Sequence, residues 1–427
     1  MSNKKRSLAL LAAGLLATAV FGMGLAAPAT AAAVNDQGTA ANPVKAAITK
    51  NLEMPINTVT PGYEFTFTFV AKSLDDETTD AAKGVMPVIN PQKISFAASD
   101  AGNVSGALKT VSKESADFLA GLAWKHAGVY TYTVTEEASG NTVHSDTDYV
   151  DSLTYSKAVY DIKVFVDQDE NGVLYAKAVY SYMMVDDEAV TVSTPGKSDP
   201  TPGGDPDVVG DYSQLVFTNL YNRNNGGTTP SSDEATFEVS KQVEGPFGDM
   251  SKFFEFSVMV DNAATVNDTT PRVYTAYVMD ANGIVALADN GNTGVGADGK
   301  MSFTAGTAQN VLLKSGQKLV FVDTYVGTPV TVSERPAQGY IPSYKLTLAS
   351  SVKDQAGQLN TALGLDQGVY TADGANIAAF TNTRDDVSIT GVSMENMPFI
   401  AIAGLAVLAL AGFVLVRVRR NASANAR

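Results

Sequence analysis

Gly128-Val129-Tyr130-Thr131-Tyr132-Thr133-Val134-Thr135-Glu136-Glu137 (GVYTYTVTEE, 128–137) alternates large apolar residues with threonines. Side chains two apart share a face of an extended chain, so Tyr130, Tyr132 and Val134 predict the buried side of a β-strand and Thr131, Thr133 and Thr135 the other side. Glu136 falls on the apolar face, whereas Glu137 falls on the threonine face. Phe65, Phe67 and Phe69 alternate with Thr66 and Thr68 in the same way, and Val159 to Val166 repeats the pattern. Such runs recur between Gly, Asp, Asn and Pro turns, which is the signature of β-sandwiches. No long stretch between the two ends of the chain has helical periodicity. The expected fold is all-β, with two tandem Ig-like, Greek-key β-sandwich domains.

The two domains follow from a repeated order of landmarks. Each half opens on a strand holding a lysine, Ile48-Thr49-Lys50-Asn51-Leu52 and Phe237-Glu238-Val239-Ser240-Lys241. An aromatic strand follows, Phe65-Thr66-Phe67 and Phe254-Glu255-Phe256. A later strand ends in glutamate, Thr133-Val134-Thr135-Glu136 and Thr331-Val332-Ser333-Glu334. Each half closes on Phe-Thr-Asn, at Phe217-Thr218-Asn219 and Phe380-Thr381-Asn382. Between them Asn222 to Ala235 (NRNNGGTTPSSDEA) has no apolar pattern and reads as a linker.

The 427 residues carry a formal net charge of -15, with no cysteine and two histidines. The acidity argues against nucleic acid or anionic membrane surfaces as partners. Disulfides, the usual reinforcement of exported domains, are excluded. Two histidines leave little room for histidine catalysis or histidine metal sites, and no cofactor or metal is implied. The ends carry targeting signals. Lys4, Lys5 and Arg6 precede an apolar run to about Leu25, and Ala29-Thr30-Ala31 or Ala31-Ala32-Ala33 supplies the small-residue cleavage site of a secretory signal peptide. Pro398 to Val416 is charge-free and long enough to span a membrane, and Arg417, Arg419 and Arg420 follow it on the cytoplasmic side. The mature chain is expected outside the cell, secreted and held at its C-terminus.

Parity puts one polar residue on an apolar face in each landmark strand. Lys50 shares a face with Ile48 and Leu52, and Asn219 with Phe217 and Tyr221. Lys241 goes with Val239 and Val243, Glu334 with Val330 and Val332, Asn382 with Ala378 and Phe380. Burial lowers a lysine pKa and raises a glutamate pKa. A neutral amine is a nucleophile, and a protonated carboxyl can donate to an amide oxygen. Beside an asparagine carboxamide this pair could form a Lys–Asn isopeptide bond and release ammonia. Taken singly, each residue also fits a blander reading: a snorkelling lysine, a glutamate topping a strand, an asparagine at an edge. Two trios in the same order with the same facing favour the crosslink.

These segments, TKNLEMP (49–55), EFTFTF (64–69), GVYTYTVTEE (128–137), VSKQVEG (239–245) and FTNTRD (380–385), resemble the two-domain backbone (major) pilins of Gram-positive bacteria, FctA type. The resemblance spans roughly Ile48 to Arg420. It implies a glutamate-promoted Lys–Asn bond in each domain, mapping onto Lys50, Glu136, Asn219 and onto Lys241, Glu334, Asn382. VSERPAQGY (332–340) is similar to the pilin E-box around Glu334. It further implies a sortase as partner, cutting between Thr390 and Gly391 of VSITG (387–391), although Ser388 stands where the family has proline. Polymerisation into a covalent head-to-tail thread of copies of this chain needs an acceptor lysine, for which Lys197 in STPGKSDPTPGGDPD (193–207) is the nearest candidate; an ordinary surface lysine fits as well. The expected organisation is a signal peptide at 1–33, a first isopeptide domain at 34–222, a linker at 223–235, a second at 236–386, and a sorting signal with transmembrane helix and basic tail at 387–427. Localisation follows as the cell surface and cell wall, membrane-anchored before processing.

Two other functions compete: a monomeric wall- or membrane-anchored adhesin of the same domains, binding host surface ligands, and a secreted hydrolase. The hydrolase lacks any nucleophile motif near histidine. Gly294 to Gly299 matches G-x-G-x-x-G, but a strand pattern follows it, so it reads as a turn. Asp167 to Gly172 starts like a calcium loop, yet Ala178 stands where a bidentate carboxylate is needed, and a hairpin turn is expected. Trp124, His126 and His144 read as structural.

Overall fold

The computed structural model describes residues 37–143, 151–203, 212–224, 236–264 and 271–385. The signal-peptide, sorting-signal and C-terminal span readings, together with Thr390, Gly391, His144 and most of the linker, lie outside the described residues. Within them the chain is nearly all β, with two short helices, α1 (Asp80–Gly84) and α2 (Leu287–Asn290). Among the described residues no helix is long and apolar enough to cross a membrane.

The first half runs β1 (Thr49–Pro55), β2 (Glu64–Leu74), β3 (Gln92–Ser95), β4 (Asn103–Ser105), β5 (Leu108–Glu114), β6 (Gly128–Glu136), β7 (Ser152–Thr154), β8 (Val159–Gln168), β9 (Leu174–Val185), β10 (Lys197–Ser198) and β11 (Val216–Asn222). They form two sheets, in the orders β4-β5-β1-β11-β7 and β10-β9-β8-β6-β2-β3. Ile48 and Leu52 bury against Phe65, Phe67, Tyr132, Tyr160 and Phe217 in one core shared by both sheets. Phe67 and Phe217 meet across it with ring centroids 5.0 Å apart.

The second half runs β12 (Phe237–Glu244), β13 (Phe254–Val260), β14 (Val273–Asp280), β15 (Gly283–Ile284), β16 (Lys300–Thr304), β17 (Gln309–Leu313), β18 (Lys318–Phe321), β19 (Pro329–Glu334), β20 (Ile341–Leu348), β21 (Ser351–Ala356), β22 (Leu363–Gly364), β23 (Val369–Tyr370) and β24 (Asn376–Thr383). One sheet is ordered β15-β14-β18-β12-β24-β20-β21 with β16 on β14, the other β17-β13-β19-β22 with β23 on β19. A second core joins them, and Phe256 and Phe380 meet at 5.2 Å.

In both halves the first strand lies parallel to the last, β1 beside β11 and β12 beside β24. Parallel neighbours cannot be joined by a tight hairpin, and every other strand of each half lies between the two in sequence. The halves also touch. Arg223 pairs with Asp373 at 2.7 Å, Asn224 bridges Tyr325, and the Asn57 side-chain amide donates to Tyr370 O at 3.3 Å. The first two residues of the expected linker thus hold to the second half.

The Gly294–Gly299 segment is a turn closed by Gly299 N–H donating to Gly296 O at 2.9 Å, ahead of β16. Asp169 and Gly172 close the β8–β9 hairpin, and Asp169 Oδ1 accepts from the Asn171 and Val173 amides.

Candidate functional site: two buried lysine, glutamate and asparagine trios

Lys50 sits mid-strand in β1 and Asn219 in β11 beside it. Their parallel register sets Leu52 opposite Asn219 and Lys50 opposite Phe217. Asn219 is therefore aligned two residues past the lysine, on the same face. Glu136, the last residue of β6, comes from the other sheet, where it pairs with Phe67. Lys50 and Asn219 are fully buried, while neighbouring Glu137 is exposed. Lys50 Nζ lies 2.9 Å from Glu136 Oε2, and Asn219 Nδ2 donates to Glu136 Oε1 at 2.7 Å. The Phe65 ring closes over the ammonium, 4.8 Å from its centroid.

The second trio repeats this frame. Val243 stands opposite Asn382 and Lys241 opposite Phe380, and Glu334, the last residue of β19, pairs with Phe256. Lys241, Glu334 and Asn382 are each at most 2% exposed. Lys241 Nζ lies 3.0 Å from Glu334 Oε1, and Asn382 Nδ2 donates to the same oxygen at 2.5 Å. Phe254 covers the amine at 4.3 Å.

Removal from water dominates the electrostatics. It lowers both lysines to about 8, against the partial opposition of their glutamates, and it raises both glutamate carboxyls. A buried ion pair recovers only part of what dehydration costs, so sharing one proton as neutral amine and neutral carboxyl is within easy reach. That form has chemistry available to it: an amine lone pair, a carboxamide carbon, and an acid beside the amide nitrogen.

Sequence reasoning missed two residues at the first trio. Ser156 N–H donates to Asn219 Oδ1 at 2.6 Å. The Ser156 hydroxyl donates to Asp187 Oδ1, which also accepts from Thr218 N–H at 3.1 Å. Burial raises the Asp187 carboxyl. Both residues lie in connections rather than strands, where alternation carries no signal; a backbone amide is in any case silent in sequence. Lys197 departs from its expected loop. It begins β10, a two-residue edge strand on Tyr182, and is exposed with Nζ 3.1 Å from the Tyr180 ring centroid. The far edge of β10 is unpaired among the described strands, while the amine itself rests over the Tyr180 ring of β9.

Each of the two nearly all-β halves thus holds a lysine–glutamate–asparagine trio in its core. Residues 46–222 match the FctA family, a Spy0128-like isopeptide containing domain, and residues 235–384 match a domain of unknown function, DUF7601. The first half thus resembles an FctA domain, and the chain resembles the Gram-positive backbone pilins. It is 24% identical over 386 residues to a protein called Pilin from Streptococcus pyogenes serotype M1, covering 90% of this chain and 93% of that one. The crystal structure of the major pilin from Streptococcus pyogenes is 20% identical, covers 81% of this chain and 100% of its own, and has a TM-score of 0.32. The major pilin T3.2 from the same species is 18% identical, with coverage of 80% and 98% and a TM-score of 0.29.

Proposed function

We propose that this protein is a structural subunit of a sortase-assembled surface pilus, with Ig-like domains each locked by a Lys–Asn isopeptide bond, Lys50 to Asn219 and Lys241 to Asn382. In each, the neutral lysine Nζ attacks the asparagine Cγ. The Cγ–Nδ2 bond breaks, the glutamate carboxyl carries the proton from the amine to the leaving nitrogen, and ammonia departs. Glu136 and Glu334 act once, in the folding of their own chain, so the protein is no enzyme in the turnover sense. The observation that carries this reading is the contact of a buried amine and a buried carboxamide with one shared carboxyl, in both halves.

Assembly requires sortase cleavage at Thr390–Gly391 and transfer of Thr390 to an amine of the next copy, with Lys197 as the candidate. The FctA match and the likeness to a protein named Pilin support self-association over other roles. Immunoblots of cell-wall extracts test it: a ladder of bands that resists boiling in SDS is expected and should collapse in Thr390→Ala. A single band in the unmodified strain would instead indicate a monomeric anchored adhesin.

A further inference from the structure

The two trios differ around the asparagine carbonyl. In the first, Asn219 turns its oxygen to Ser156 N–H at 2.6 Å and its nitrogen to Glu136. The donor is a backbone amide and cannot act as an acceptor, so it fixes which end of the carboxamide faces the acid. Its position is fixed in turn. The Ser156 hydroxyl donates to Asp187 Oδ1 while accepting from Ala158 N–H at 3.1 Å, and the same Asp187 oxygen accepts from Thr218 N–H beside Asn219. The Lys157 amide donates to the Asp187 carbonyl at 3.2 Å. One carboxylate therefore ties the Ser156 turn to the strand that bears the reacting amide.

In the second trio, Asn382 Oδ1 is buried and finds no hydrogen-bond partner among the described residues, and neither does Glu334 Oε2. The amine and the amide nitrogen both crowd Glu334 Oε1.

We propose that the Ser156 amide, held by Asp187 as a positioning residue, is an oxyanion hole for the first crosslink that the second lacks, so that Lys50–Asn219 forms faster than Lys241–Asn382. This rests on the isopeptide reading above. Attack of Nζ on Cγ moves the carbonyl electrons onto Oδ1, and that oxygen carries negative charge until the Cγ–Nδ2 bond breaks and ammonia leaves. A donor already in place stabilises the charge without reorganisation, and losing such a donor costs an enzyme about a hundredfold in rate.

The test is time-resolved mass analysis of the whole chain made by cell-free translation. Samples are quenched at intervals, protease-resistant folded molecules are isolated, and ammonia loss is assigned to each site from crosslinked peptides. The expected result is a first site at least about tenfold faster than the second. Asp187→Ala should slow the first site by about tenfold or more and leave the second unchanged. Asp187→Asn, which keeps an oxygen acceptor for Ser156 and Thr218, should recover most of the rate, as a merely structural loss of charge would not. Equal rates in the unmodified chain, or an unaltered ratio in Asp187→Ala, would overturn the oxyanion hole while leaving the isopeptide reading intact. Ammonia lost at neither site would remove both. The comparison in the unmodified chain decides the matter even if Asp187→Ala fails to fold.

Discussion

At the scale of single residues, two adjacent glutamates show how finely position sets chemistry. Glu136 points into the core and Glu137 into water, and only the former meets an amine and an amide. Glu136→Ala should leave the first half's asparagine with its ammonia and the second half unaffected; Glu334→Ala should do the reverse. Peptide mapping by mass reads each case. The rate should also depend on pH in both directions. Each lysine is lowered to about 8 and each glutamate raised, so in the middle range each coupled pair holds one proton. On acidification both groups become protonated and the amine cannot attack. Above about pH 8 the pair loses the shared proton and no acid remains for the leaving nitrogen. Crosslinking followed by mass should therefore peak between these limits; a rate that climbs without limit into alkali would contradict the shared-proton account. The facing of the six trio residues was legible from alternation, since each strand's apolar partners lie two residues away. Asp187 was not. It sits in the run Asp186-Asp187-Glu188, which in sequence looks like a solvated turn, and only the fold brings it against Ser156.

At the scale of elements, the alternating runs announced strands but not partners. That β1 lies parallel to β11, and β12 to β24, follows from chain topology, which hydrophobic period does not encode. The equal offset in both halves, asparagine aligned two residues beyond the lysine, comes from that pairing. A crosslink there joins the first and last strands and encloses a loop of 219 − 50 = 169 residues in one half and 382 − 241 = 141 in the other. By the loop-entropy relation for disulfides each such bond would contribute about 5 kcal/mol. Asn219→Ala or Asn382→Ala should lower the melting transition of its half by about 10–20 °C in calorimetry, given a few degrees per kcal/mol for units of this size. An unchanged transition would mean that the bond does not form or does not constrain the unfolded chain. The edge strand at Lys197 was hidden because two residues in a stretch rich in Pro and Gly offer no period to read.

For the whole molecule, the repeated landmarks made two β units legible, whereas the seam between them was not. Its contacts use Asn57, Arg223, Tyr325 and Asp373, residues of turns and strand ends. Gly327 belongs to the seam: its φ of 75° disfavours a side chain, and the Pro55 side chain lies 2.2 Å from where a Cβ would stand. Gly327→Ala should destabilise the chain by about 1–3 kcal/mol through strain and the parted seam, read as earlier unfolding of the second half in calorimetry. On the proposed reading, tension across the second half would run through the Lys241–Asn382 bond between its first and last strands and leave the loop it encloses slack. The whole account depends on two amines and two amides having fused in dry cores. Intact mass of the purified chain from Val34 to Thr390 tests that most directly. The account requires a mass below that of the sequence by two ammonia molecules, and the full unmodified mass would contradict it.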